Sequence, residues 1–240
     1  MARRLKKANR EDRSRLQSQR GRKESLRNQR SLFIITCEGE NTERLYFESW
    51  FARLRESKQL SSRSCVIASH SHTNPSGVLA DLLAFQDGGL TFKDFEHRWI
   101  VIDRDSERTN GGGHTLADFN TALQQARQKR PKVSVAWSNP CFELWYLLHF
   151  RYQNTGTDRV QIQGQLSNAL GLKYDKSDPN LFILIIANLP DALRNAKRLH
   201  TDFQEQGLSA DKSNPCTTVY QLVELLEGMA HTGAETKEQV

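Results

Sequence analysis

Ser31-Leu32-Phe33-Ile34-Ile35-Thr36-Cys37-Glu38-Gly39-Glu40-Asn41-Thr42-Glu43 is the stretch on which the reading of this chain turns. Residues 32–37 form a short apolar run of the kind found in strands buried on both faces. Glu38-Gly39 follows directly, and Gly39 permits a tight turn. Polar Asn41-Thr42 then opens a helix whose free N–H groups can face an anion. Leu45, Tyr46, Trp50, Phe51 and Leu54 recur at helical spacing over residues 41–57. These aromatics are expected to pack the helix on the sheet.

The same alternation continues outward. Cys65-Val66-Ile67-Ala68 reads as a second strand, followed by a helix from Ser76 to about Phe85. Trp99-Ile100-Val101-Ile102 is a third strand, ending at Asp103. Past Gly111-Gly112-Gly113 comes a helix from about Thr115 to Lys129, then a fourth strand, Val133 to Trp137. Strands alternating with helices predict an α/β fold, a mostly parallel sheet with helices on both faces. Beyond it, Pro140 opens an apolar helix over Cys141 to Phe150. Helices are expected at about 159–170, 180–188, 191–206 and 216–228, with no further clear strand. Leu181 to Ile186 could also be a strand by periodicity alone.

The expected organisation is a basic arm over residues 1–30, disordered or helical, an α/β core over 31–150, a helical C-terminal part over 151–230 and a polar tail over 231–240. The arm carries twelve Arg and Lys against three acids, a net +9 of the chain's +6, so the other 210 residues sum to −3. A basic appendage on a near-neutral body suits nucleic acid or another polyanion. Arg3, Arg4, Lys6, Lys7, Arg10, Arg13, Arg20 and Arg27 are its candidate contacts, and Lys6, Arg13, Arg20 and Arg27 recur every seven residues.

No apolar run reaches the roughly 18–20 residues of a membrane span, and the N-terminal residues contain no secretory h-region. The four cysteines form no CxxC, which argues against a zinc ribbon or disulfide framework. A reduced, cytoplasmic protein without membrane contact is expected. Walker A, HExxH and GxSxG patterns are absent from the sequence.

Three acids stand at the carboxyl ends of predicted strands. Glu38 follows the first, and Asp103 and Asp105 follow the third. Ligands of open α/β sheets bind in the crevice at these ends. Converging carboxylates repel one another unless a cation neutralises them, and hard oxygen donors suit Mg²⁺ or Mn²⁺. Glu143, inside the apolar helix, is expected to be buried and to join this site or find a hydrogen-bond or ion-pair partner. Gly39, Glu40, Thr42, His70, His72 and Asn139 are further candidates to line the crevice. Asn139 and Asn214, each before a proline, are also candidate helix caps. Arg104, between the acids, either contacts a phosphate or points to solvent. His149 reads as a core histidine.

A strand ending in Glu-Gly, then helix, strand, helix, and a strand ending in an Asp pair resembles the Toprim domain. That is the metal-binding module of topoisomerases, bacterial primases and OLD-type nucleases. Here the usual Asp-Gly-Asp is Asp103-Arg104-Asp105. Cys37-Glu38-Gly39-Glu40-Asn41-Thr42-Glu43 with Tyr46-Phe47 also resembles the opening of the RloB family. So do Asp103-Arg104-Asp105, then Ser138-Asn139-Pro140-Cys141-Phe142-Glu143-Leu144-Trp145 with His149-Phe150, and Asn214-Pro215-Cys216-Thr217-Thr218-Val219.

The resemblance implies that Glu38, Asp103 and Asp105 are the catalytic and metal-site acids. It implies a Mg²⁺- or Mn²⁺-dependent nuclease acting on DNA or RNA, tRNA included, in phage defence or restriction. An ABC/AAA-type ATPase encoded nearby would be the partner, and a homo-oligomer is compatible with the sequence. The alternatives are a regulatory subunit that docks on the ATPase without catalysis, a metal–nucleotide transferase, and a haloacid-dehalogenase phosphatase. The Glu38-Gly39 element and the third-strand position of the Asp pair argue against the last two.

Overall fold

A computed structural model of the chain describes residues 32–58, 60–69, 71–105 and 115–231. The basic arm, His70 and the Gly111-Gly112-Gly113 segment lie outside the described residues. The core is a five-stranded sheet in the order β2-β1-β5-β6-β7. Its strands are β1 (Phe33–Cys37), β2 (Cys65–Ile67), β5 (His97–Asp103), β6 (Ser134–Asn139) and β7 (Cys216–Thr217). The first four run parallel; β7 alone is antiparallel, against the end of β6. All five residues of β1 are buried, as its apolar run requires of a strand flanked on both sides and covered on both faces.

Connection handedness sorts the helices. From β1 the chain moves left through α1 (Thr42–Lys58) to β2. It then crosses right through α2 (Pro75–Ala84) to β5, and right again through α3 (Leu116–Gln128) to β6. Right-handed crossovers in opposite directions must use opposite faces. Two buried clusters match this division. One joins Phe33, Ile35, Tyr46, Trp50 and Val101; the other joins Ile34, Val78, Leu82, Ile100, Ile102 and Phe119. The later helices α4 (Glu143–Leu147), α5 (Arg159–Leu170), α6 (Leu181–Ile185), α7 (Leu189–Glu205) and α8 (Val219–His231) extend the α1 layer.

The α1 aromatics are core. Tyr46, Phe47, Trp50 and Phe51 are each at most 1% exposed. Tyr46 meets Phe142, Trp145, Tyr146 and Phe182 edge-on or tilted. Burying each such side chain contributes about 1.5–3 kcal/mol.

Two expectations need correcting. The helix expected over 141–150 is regular only over Glu143–Leu147. The C-terminal part does contain a strand, β7, where a helix was expected from residue 216. Leu181–Ile185 is helical, as expected for residues 180–188, and not the strand that its periodicity also allowed. A hairpin of two-residue strands, β3 (Gln86–Asp87) and β4 (Leu90–Thr91), was missed. Gly88 and Gly89, with φ of 54° and 86°, form its turn, a backbone that side-chain-bearing residues resist. Among the described residues, no helix is long and apolar enough to cross a membrane.

Candidate active site

The connections leaving β1 and β5 go to opposite faces, so the carboxyl ends of these neighbouring strands form the topological switch point of the sheet. A cavity of about 470 Å³ opens there. Glu38, Glu40, Glu43, Asp103, Asp105 and Glu143 line it, with Gly39, Asn41, Thr42 and Thr73. Arg159 and Lys176 are its only two cations among the described residues. Formal charge in this space is therefore −4 if every acid is ionised.

Each acid is set by its element. The Glu38 N–H donates to Val101 O at 3.0 Å, extending the β1–β5 ladder by one residue. Its Oε2 accepts from the Asp103 N–H at 3.1 Å, so Glu38 and the end of β5 are tied together. A Cβ at Gly39 would stand 2.1 Å from Glu43 Oε2, so a side chain there would force the Glu43 carboxylate to move. The carboxylate of Glu43, in the first turn of α1, thus folds back into the place a side chain would take. Glu143 is 2% exposed. Its Oε1 accepts from Gln163 Nε2 at 3.0 Å and from the Tyr174 hydroxyl at 3.4 Å.

Crowding shows in the protonation. Burial, and then repulsion from Glu143, pushes Glu43 up to about 8. Burial and the Glu43 charge hold Asp103 well above the usual carboxylate range, with Arg159 pulling the other way.

Arg159 is the opposing charge. Its Nη2 stands 2.9 Å from Asp103 Oδ2 and 2.9 Å from Asp105 Oδ2, and its Nε donates to Asp105 Oδ1 at 3.0 Å. Burial disfavours this cation, yet Asp103 and its acidic neighbours raise its pKa further. The start of α5 is held in place to present it. Asp158 caps the helix in a reciprocal box with Gln161. The Asn214 amide accepts from Thr157 N–H at 3.2 Å and donates to Thr157 O at 3.0 Å. Thr217 and Thr218 then bond to Ser138 and Trp137 of β6. This is the physical content of the segment Asn214 to Thr218: it fastens the loop before Arg159 to the sheet.

Glu38, Asp103, Asp105 and Glu143 meet in the cavity as expected, with Gly39, Glu40 and Thr42 along its wall. Three candidates do not join them. His72 turns away to Asp81 of α2, with Nδ1 2.9 Å from Oδ1; its neighbour Thr73 lines the cavity instead. Asn139 neither caps a helix nor faces the acids, since its amide donates to the carbonyls of Ala210 and Asp211. Arg104 donates to the Asp105 carbonyl at 2.7 Å and does not line the cavity. Asn214 is a clamp on Thr157 and not a cap. Sequence reasoning missed Glu43, Arg159 and Lys176. Only Glu43 carried a signal, by its place in the Glu38–Glu43 turn.

The donor set fits the divalent cation that the sequence resemblance implies. Every anionic donor is a carboxylate oxygen, and Asp103 Oδ1 is buried with no hydrogen-bond partner among the described residues. As they stand, however, the side chains hold a guanidinium. Among the described residues no three His, Cys, Asp or Glu side chains are grouped closely enough to hold a metal ion.

Fold and site together define an α/β protein with an acidic, partly buried centre at its sheet switch point. The sequence profile of the RloB-like protein family matches residues 33–226, and the chain belongs to that family. No curated protein and no solved structure matches the chain.

Proposed function

We propose that this chain is a Mg²⁺- or Mn²⁺-dependent phosphodiesterase of Toprim type. It would cut DNA or RNA, tRNA included, in anti-phage defence, with an ABC/AAA-type ATPase as partner. The observation that carries the reading is the convergence of Glu38, Asp103, Asp105 and Glu143, with Glu43, on one open cavity at the switch point. Buried carboxylates at such density need a cation, a donor or a proton.

Glu38, Asp103 and Asp105 would hold the ion, with Glu143 and Glu43 adjoining. The bound ion supplies charge stabilisation at phosphorus and an activated water. Glu38, fixed by the Asp103 N–H, is placed to exchange a proton with the attacking or leaving oxygen. Arg159 and Lys176 are the groups that attract the phosphate into an otherwise anionic cavity.

A docking subunit without catalysis is the second reading. Ile183 and Leu184, 70% and 48% exposed on α6, favour it. A nuclease assay on DNA and RNA with Mg²⁺ or Mn²⁺, with and without the ATPase, separates the two. Asp103→Asn and Glu38→Gln should each lower cleavage by at least about 10²-fold with unchanged melting. Wild-type cleavage by both variants would place the chemistry elsewhere, and no cleavage under any combination would favour the docking reading.

A further inference from the structure

We propose that Arg159 is the resident counter-ion of this site: it holds Asp103 and Asp105 while no divalent ion is bound and yields them when one arrives. The inference rests on the metal-dependent reading above and adds a regulatory element to the same site.

Three observations carry it. First, the guanidinium already takes up the inner oxygens of the acid pair, both oxygens of Asp105 and Oδ2 of Asp103. A second cation cannot share those oxygens at contact distance without strong repulsion. Asp103 Oδ1 is left over, buried and unpartnered among the described residues. The pair is thus occupied but not saturated.

Second, the backbone and the side chain of Arg159 are held differently. The Asn214 clamp and the Asp158–Gln161 box fix where the helix begins. The side chain beyond is 32% exposed, against 5% for Asp103 and 13% for Asp105. The acids are built into the strand end, while the guanidinium borders open cavity and can swing on its own torsions. Movement at this site therefore falls to Arg159.

Third, the displaced group has somewhere useful to go. Arg159 and Lys176 share the cavity wall. A planar guanidinium freed from carboxylates is well matched to a phosphate. One residue would thus protect the acid pair before loading and meet the substrate after it. A permanent structural ion pair is the competing account, and it predicts a different response to metal.

The experiment is Mn²⁺ titration of the full-length protein by calorimetry at fixed pH, with free Mn²⁺ followed by electron paramagnetic resonance. The comparison is among wild type, Arg159→Gln, Arg159→Lys and the remote Arg127→Gln. If Arg159 competes with the ion, Arg159→Gln should bind Mn²⁺ at least about tenfold more tightly, the scale of one close, partly buried ion pair. Arg159→Lys, with a single-point ammonium, should fall between, and Arg127→Gln should match wild type. Equal or weaker Mn²⁺ binding by a folded Arg159→Gln would overturn the proposal. Should that variant not fold, unchanged affinity in Arg159→Lys does so instead. If neither wild type nor any variant binds Mn²⁺, the metal-dependent reading itself fails. Wild-type binding that no Arg159 change improves defeats only the present inference.

Discussion

Raising the pH of the metal-free protein above neutrality should destabilise it, and a divalent ion should cancel the loss. Glu43 drives the effect. Its carboxyl is pushed from 4.5 to about 8 in the fold by burial and by Glu143, so between those values the folded protein keeps a proton that the unfolded chain has released. Stability then falls by about 1.4 kcal/mol for each pH unit per retained proton, and the loss is complete above the folded value. Asp103, raised by the same burial and by Glu43, acts in the same direction. His149 opposes them at lower pH, because burial lowers it from 6.5 to about 4 and stability rises with pH across that interval. The clean window is therefore pH 6.5 to 8. Glu43 alone should cost about 2 kcal/mol there, a fall in Tm of about 4–8 °C for a chain of this size. The assay is thermal melting in EDTA and in Mg²⁺ across that window, with Glu43→Gln alongside. Glu43→Gln should flatten the EDTA curve. A Tm in EDTA that is level or rises from pH 6.5 to 8, or that falls equally in Glu43→Gln, would refute the reasoning.

Glu143→Gln should weaken Mg²⁺ binding while changing stability by less than about 1 kcal/mol, because a glutamine oxygen can still accept from Gln163 and Tyr174. Melting with and without Mg²⁺ checks it, and a large drop in Tm with unchanged metal affinity would remove Glu143 from the metal site. His149 has Nδ1 on the Trp145 carbonyl and a buried Nε2 with no partner among the described residues, so its protonation opposes folding. His149 alone should cost about 3 kcal/mol between pH 6.5 and 4, offset in wild type by the gain from Glu43 over the same interval, so the stability change of His149→Leu should be more favourable than that of wild type by about that amount; urea unfolding at the two pH values decides, and equal changes would reject the assignment.

What could be read from the sequence follows from how locally each feature is encoded. Phe33–Cys37 and residues 99–102 of β5 announce themselves because a strand covered on both faces must be apolar nearly throughout. Once they are placed, the switch-point rule puts Glu38, Asp103 and Asp105 at one crevice without any long-range information. The two-residue strands at Gln86–Asp87, Leu90–Thr91 and Cys216–Thr217 are too short for alternation to register. Leu181–Ile185 is an apolar run whose helical state is set by packing and not by pattern.

The site divides along the same line. Its acids sit at strand ends or within about six residues after them, so neighbouring residues fix their positions. The charge that balances them does not. Six carboxylates in one cavity call for a cation or retained protons on electrostatic grounds, but that requirement names no residue. Arg159 lies 54 positions beyond Asp105, at a helix start that reads as surface. It reaches the pair only because Asn214 grips Thr157 and Thr217–Thr218 dock on β6, contacts separated by 57 to 81 residues. The late Asn214–Thr218 segment looked like a helix cap in isolation. Its role emerges only when the edge strand it forms is seen to carry the loop that delivers Arg159.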